Sequence, residues 1–136
     1  MRRLTLGSIT LVLGVALVTG CSSTPTMLVE SDVPIPVDMQ VVFSSELKRS
    51  GGTLSGGWFV FWGDVKNVVV VTDETSKRFS ENGWRETSRE MMPQRASVEF
   101  AKGDRTCHVV IDGRRVDPRS SSATLRVSSA AFVSES

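Results

Sequence analysis

Histidine and cysteine are scarce in this chain of 136 residues, which has one histidine and two cysteines. The histidine, His108, follows Cys107 on a predicted strand, where neighbouring residues point to opposite faces of the sheet. The two side chains are therefore not expected to act as a Cys/His catalytic pair, which needs hydrogen-bond contact. A zinc site needs three or four ligands, and a Ser-His-Asp triad would require the same histidine. The sequence predicts no enzyme activity, no metal site and no cofactor.

An excess of charge of one sign is also missing. The chain has 16 basic and 15 acidic residues, whereas binding to nucleic acid through its phosphates needs a concentrated basic field. The glycine pairs Gly51-Gly52 and Gly56-Gly57 are not followed by Lys and Ser or Thr at a helix start, so they predict turns and not a phosphate-binding loop. We expect no nucleic-acid partner.

The N-terminal residues have the pattern of a signal peptide. Arg2 and Arg3 precede an apolar segment from Leu4 to Val18 that is too short to be a convincing membrane span. The run Leu-Val-Thr-Gly-Cys that ends at Cys21 resembles the lipobox of bacterial lipoproteins, in which the cysteine is lipidated and becomes the mature N-terminus. The alternative is an ordinary cysteine behind a simple secretory signal or in an uncleaved anchor.

The lipobox resemblance implies a place in the cell. Two or more acyl chains, palmitate among them, hold a protein stably at a membrane. In lipoproteins of diderm bacteria a serine after the cysteine, here Ser22, goes with export to the outer membrane, facing the periplasm. Lipidation of Cys21 leaves Cys107 without an intramolecular disulfide partner, and Cys107 is expected to be a small buried residue and not a reactive thiol.

The composition divides the chain into four regions. Residues 1–20 are the predicted signal peptide, residues 21–32 a small, polar, flexible tether, residues 33–129 the domain and residues 130–136 a C-terminal tail. The domain begins with a Val-Pro-Ile-Pro segment at residues 33–36, whose prolines exclude it from a central strand. That segment is either a stiff lead-in that packs on the domain or a ligand for a partner.

Two strands are predicted before a helix. The first covers residues 41–47, and the second is the Trp-Phe-Val-Phe-Trp run at residues 58–62. Because the second run is apolar on both faces, it is either a central strand that is covered on both sides or a strand with one exposed aromatic face. An exposed face of Trp58, Val60 and Trp62, or of the two phenylalanines between them, would suit a protein partner, a glycan or a lipid.

The periodicity changes after residue 64. Apolar residues at helical spacing, an N-cap at Asp64 and a stop at Asn82-Gly83 predict an amphipathic helix over residues 65–81, although four consecutive valines at 68–71 have strand propensity. Period-two segments follow at residues 84–89, 97–101, 107–111 and 123–128, with turns at Gly103-Asp104 and Asp112-Gly113. This order predicts the α+β class: an antiparallel sheet of about five strands with one amphipathic helix packed on one face, a two-layer sandwich.

The arrangement resembles a family of small, uncharacterised bacterial lipoproteins that have one α+β domain of unknown function. The shared motifs are Val33 to Pro36, Gly57 to Gly63, Asn82-Gly83-Trp84, Val98-Glu99-Phe100-Ala101-Lys102 and Cys107-His108-Val109. The family tends to have aromatic and methionine residues late in its helix, where this chain has the valine run and Phe79. The resemblance implies the fold and the lipid-anchored location, and it brings no activity.

Two functions are therefore expected. The first is a noncatalytic binding or assembly module of the cell envelope, anchored to the membrane and bound to an envelope protein. The alternative is a module that binds a small ligand such as a lipid, glycan or peptidoglycan. The candidate contact residues are Trp58, Trp62, Arg114 and Arg115. The two arginines belong to a basic group that would suit an anionic headgroup, or that is simply a solvated hairpin tip.

Overall fold

The computed structural model describes residues 25–130, in which six strands form one antiparallel sheet and a helix follows the second strand. The elements are β1 (Met39–Ser50), β2 (Thr53–Gly63), α1 (Val68–Glu81), β3 (Arg85–Met91), β4 (Arg95–Lys102), β5 (Arg105–Asp112) and β6 (Ser121–Ser129). The α+β class is confirmed. The sheet has six strands instead of about five, because all four segments after the helix pair with a neighbour. The predicted signal peptide, Cys21 and residues 131–136 of the tail lie outside the described residues.

The strand order is β1-β2-β6-β5-β4-β3, so the last strand of the chain lies between β2 and β5. The β1–β2 connection is Gly51-Gly52, and both glycines have positive φ, of +58° and +80°. Positive φ at both central residues is the requirement of a type I′ hairpin turn, whose twist matches that of paired strands. The predicted turn at Gly103-Asp104 is confirmed as the connection of β4 and β5, with Gly103 at a φ of +62°.

The helix begins at Val68, so the predicted start at residue 65 and the predicted cap at Asp64 are wrong. Asn67 is the N-cap, and its side-chain oxygen accepts a hydrogen bond from the Val70 backbone N–H. The Val65 backbone N–H is bonded to the carbonyl of Pro118 in another loop and is not part of the helix.

The predicted end of the helix at residue 81 is confirmed. Gly83 has a φ of +83°, and the backbone N–H groups of Gly83 and Trp84 donate to the carbonyls of Ser80 and Phe79. These two bonds form a Schellman motif, which satisfies carbonyls at the helix C-terminus. The ring of Trp84 also lies edge-on to that of Phe79, with centroids 6.1 Å apart.

The hydrophobic core lies between the sheet and α1, which contacts β3, β4 and β5. Five helix residues, Val68, Val71, Thr72, Thr75 and Phe79, are buried. Alternate residues of β4, β5 and β6, and of β2 from Gly57 to Phe61, are buried as well, and they supply the aromatic residues Phe59, Phe61 and Phe100. Each of these strands therefore has one face in the core.

The segment before β1 belongs to the packed domain. Met27 pairs with Pro34 in an isolated bridge, and Val33 and Pro34 are fully buried. Of the two interpretations of residues 33–36, the structure therefore shows a lead-in that packs on the domain. The predicted tether at residues 21–32 overlaps this packed region, because Leu28 is buried and Asp32 forms ion pairs. Packing against the domain thus begins before residue 33.

Candidate functional site

Among residues 25–130, nothing covers one face of the sheet over β1 and β2, and we call this the open face. On β2 the phenylalanines Phe59 and Phe61 are buried, whereas Trp58 and Val60 are half-buried and Trp62 is 61% exposed. The open face thus contains the tryptophans, which decides between the two interpretations of the aromatic strand.

The strand register arranges the open face in rows. In one row Phe43, Val60, Thr124 and Val110 lie side by side on β1, β2, β6 and β5. Phe43 is 50% exposed, and its ring stands edge-on to that of Trp58 at 5.8 Å. The result is an aromatic and aliphatic patch at the β1 and β2 side of the sheet.

A second row places polar and charged residues beside Trp58. Arg126 of β6 lies opposite Trp58, and His108 and Glu99 follow on β5 and β4. All three of these residues are exposed. The apolar patch is therefore bordered by groups that can donate and accept hydrogen bonds.

The other three predicted contact residues lie at one end of the sheet. This end, which we call the loop end, consists of the loops 64–67, 92–94 and 113–120 together with the adjoining last residues of β2 and first turn of α1. Hydrogen bonds tie the loops together: Val65 N–H donates to the Pro118 carbonyl, and Gly113 N–H to the Gln94 carbonyl. Exposed Arg114 and Arg115 lie in the longest of the loops.

Trp62 lies where the open face meets the loop end. Trp62 pairs across the sheet with Ser122, the second residue of β6. Trp58 precedes it on β2, farther from the loop end, and lies opposite Arg126. The structure therefore divides the four predicted residues into Trp58 on the open face and the group of Trp62, Arg114 and Arg115 at the loop end.

A groove of about 730 Å³ opens beside the loop end, between the start of α1 and the start of β1. Trp62, Val70 and Met39 supply apolar walls. The positive charges of Lys66 and Arg78 are offset by three carboxylates in the lining, those of Asp38, Asp64 and Glu74. The Arg78 guanidinium is engaged, because it donates a hydrogen bond of 2.7 Å to the Ile35 carbonyl. The first described residues, Pro25 and Thr26, also line this groove.

The prediction that Cys107 and His108 point to opposite faces is confirmed. Cys107 is fully buried in the core, and this burial raises the pKa of its thiol well above the usual range. His108 is exposed on the open face, where its Nε2 lies 2.7 Å from the Ser97 hydroxyl oxygen. Among residues 25–130, no carboxylate forms an ion pair with His108, and no cluster of three His, Cys, Asp or Glu residues is placed to hold a metal ion.

Comparison with known proteins found no match. This holds for protein-family models, for curated proteins and for solved structures. The resemblance to the lipoprotein family therefore stays a prediction from the sequence. Within the part of the chain that the structure describes, no helix is long and apolar enough to cross a membrane.

A charged cluster around Asp32 was not predicted from the sequence. The Asp32 carboxylate accepts two hydrogen bonds from Arg105, of 2.7 and 2.8 Å, and one of 2.8 Å from Lys102. Its backbone carbonyl accepts a bond of 2.9 Å from the indole N–H of Trp84, and the Arg105 guanidinium lies over the Trp84 ring.

The Asp32 cluster joins the segment before β1 to β4, β5 and the end of α1, so its role is to hold the fold. The hydrogen bonds from Arg105 hold the pKa of the Asp32 carboxyl well below its usual range, against the opposing effect of desolvation. No local pattern could have revealed the cluster, because Asp32 and Arg105 are separated by most of the domain in sequence.

Proposed function

We propose that this protein is a noncatalytic lipoprotein of the bacterial cell envelope, anchored by lipid on Cys21, whose domain binds another envelope protein. The signal-peptide pattern and the lipobox support the anchor. The two-layer arrangement supports the binding role, because the helix and the segment before β1 lie on one side of the sheet and leave the other side open. The open face at Phe43, Trp58 and Val60 is the observation on which the proposal rests.

The composition of the open face favours a protein partner. Binding sites on proteins typically have an apolar, aromatic centre in which Trp and Arg contribute most, surrounded by a polar rim. Phe43, Trp58 and Val60 supply such a centre, and Arg126 and Glu99 supply part of a rim. Large exposed apolar patches that are rimmed by polar residues typically mark interaction sites.

The noncatalytic part of the proposal is supported by the place of His108. Its one side-chain partner among the described residues is Ser97, and the pair lies on the broad sheet surface and not in the groove. A serine and a histidine could act in hydrolysis only with a group that orients the imidazole and with donors for a developing oxyanion.

Photocrosslinking in intact cells tests the proposed partner. A photoreactive residue at position 58 of the full lipidated chain is expected to capture one dominant envelope protein. The same residue at Lys77, on the outer surface of α1 with its side chain 78% exposed, is the matched control. In purified form, Trp58→Ala is expected to weaken binding of the captured protein by roughly 10-fold or more, as at interface hot spots, whereas Lys77→Ala should leave it unchanged. Equal capture at both positions would contradict the proposal.

The groove beside the loop end favours a second candidate, a module that binds a lipid or glycan. Trp62 lines the groove and Trp58 does not, so the two tryptophans can be told apart by substitution. A ligand in the groove is expected to change tryptophan fluorescence in the wild type and in Trp58→Phe, because stacking or shielding alters the emission of Trp62. Trp62→Phe should remove the response to envelope glycan or lipid extracts, and a response that survives in Trp62→Phe would rule out the groove.

A further inference from the structure

One group of exposed apolar residues lies at the loop end of the domain, apart from those on β1. Besides Trp62, the side chains of Val69, Val70, Met92 and Val116 are at least about half exposed there, and Val116 is completely exposed. They come from four different segments, which the fold brings to one end of the sheet. The apolar character of this end is therefore produced by the fold, and no single sequence run reveals it.

Nothing in the helix requires Val69 and Val70 to be apolar. The buried stripe of α1 uses Val68 and Val71 and leaves these two valines facing outward. Exposed helix positions are better filled by unbranched polar residues, since β-branched side chains lose rotamer freedom in a helix. Both valines lie in the first turn, where the Cα–Cβ bonds tilt toward the N-terminus of the helix and hence toward the loop end.

The chain enters the domain on the same side. Pro25 and Thr26 line the groove together with Trp62 and Lys66. Cys21 precedes Pro25 by four residues, and a fully extended chain of that length spans at most about 14 Å. A lipid on Cys21 would therefore keep the loop end close to the surface of the bilayer.

We propose that the loop end is a membrane-contact surface, on which the domain rests against the phospholipid bilayer that holds the lipid of Cys21. The inference depends on the proposed lipid anchor and adds the orientation of the domain. Tryptophan is favoured at the level of lipid headgroups, and small apolar groups can enter the boundary between headgroups and acyl chains.

The charges at the loop end allow this contact without dominating it. Lys66, Arg114, Arg115 and Arg119 can approach anionic headgroups. The acidic groups that face the same side are Asp38, Asp64, Glu74 and Asp117, while Asp112 is paired with Arg95. Because the two signs nearly balance, the apolar side chains carry the contact, and we expect it to depend only weakly on salt.

A nitroxide spin label on Val116→Cys tests the orientation. The full lipidated protein is reconstituted in vesicles of phosphatidylethanolamine and phosphatidylglycerol, and the access of oxygen and of a water-soluble nickel chelate to the label is compared. Val29→Cys is the matched control, because Val29 is also exposed, at 82%, and lies at the opposite end of the domain, where its carbonyl accepts a bond from Arg49. Buried Cys107 is not expected to take the label.

We expect the label at 116 to be reached more readily by oxygen than by nickel, and the label at 29 to show the reverse. Equal access of nickel to both labels would overturn the proposal. An immobilised label at 116 that neither reagent reaches would show contact with a second copy or another protein, and would also overturn it. The mass of the N-terminal peptide is measured on the same sample. An acylated Cys21 with a water-exposed label refutes only the orientation, whereas an unmodified Cys21 refutes the anchor and the orientation together.

Discussion

Replacing Phe79 by alanine is expected to lower the free energy of unfolding by about 4 kcal/mol, in the range found for Phe→Ala in protein cores. Phe79 is completely buried, and its ring stacks on that of Phe100 with centroids 4.1 Å apart. It is also the residue by which the last turn of α1 contacts Trp84. The substitution therefore leaves a cavity between helix and sheet and removes two aromatic contacts. Urea unfolding followed by far-UV circular dichroism measures the change.

Phe43→Ala is the control for the Phe79 prediction. It deletes the same side chain from the open face, where Phe43 is half exposed and contacts Trp58. Its removal creates no cavity, so a loss of about 1 kcal/mol or less is expected from the smaller buried area and one aromatic contact. Equal losses for the two variants would show that α1 does not pack on the sheet as described.

Replacing Asp32 by alanine is expected to lower the free energy of unfolding by about 3 kcal/mol, the lower end of the cost of breaking a buried ion pair. Arg105 is only 9% exposed, so the substitution leaves its guanidinium largely buried without its carboxylate. It also frees the segment before β1 from Lys102. The lower end of the range applies because Asp32 itself is partly exposed to water. Thermal and urea unfolding at pH 7 measure the loss.

Asp73→Ala is the matched control for Asp32. Asp73 also pairs with an arginine, Arg89, but its side chain is 60% exposed. Pairs of this kind contribute about 0.2–1 kcal/mol. A loss at Asp73 as large as that at Asp32 would contradict the account of the Asp32 cluster.

The contribution of Asp32 to the free energy of unfolding should decrease as the pH is lowered. The Arg105 hydrogen bonds lower the pKa of Asp32 in the folded protein, so the folded state favours the ionised carboxylate. Its stabilisation is complete above the unfolded pKa of about 3.9 and is lost as the pH falls below that value toward the folded pKa. The difference between wild type and Asp32→Ala should therefore shrink below about pH 4, and a constant difference down to pH 2 would contradict this sign.

Local signals in the sequence predicted the turns at Gly51-Gly52 and Gly103-Asp104 and the end of the helix. The turn predicted at Gly56-Gly57 is wrong, because both glycines lie within β2 and pair with neighbouring strands. Gly103 and Gly83 adopt positive φ where the sequence places glycine after a strand or a helix, because glycine tolerates that backbone conformation best. The start of the helix was harder to predict. Asp64 and Asn67 are both capable N-caps, and only the packing of the loop, with Val65 bonded to Pro118, selects the second.

The site depends on distant contacts that no short pattern reveals. The sequence shows that both faces of the aromatic run in β2 are apolar. Which of the two faces is covered depends on where α1 and residues 25–38 pack. The register of β2 with β6 places Trp58 and Trp62 at different positions on the sheet. Val69, Met92 and Val116 lie at the same end of the domain because hydrogen bonds join the three loops there. The Asp32 cluster is likewise formed by residues that are far apart in the sequence, since Asp32 and Arg105 are separated by 73 positions.

The place of β6 in the sheet has a consequence for how the chain folds. β2 and β6 pair from Gly57 with Val127 to Gly63 with Ser121, so the strand that completes the centre of the sheet is the last of the described strands to be synthesised. Contacts between residues so far apart in sequence slow folding, because a long loop must close before they form. Until then the hairpin of β1 and β2 has no second neighbour, and an isolated hairpin is marginally stable in water. If the chain is exported as proposed, we expect this order of synthesis to help keep the polypeptide unfolded during translocation, because β2 lacks its second neighbour until β6 has emerged.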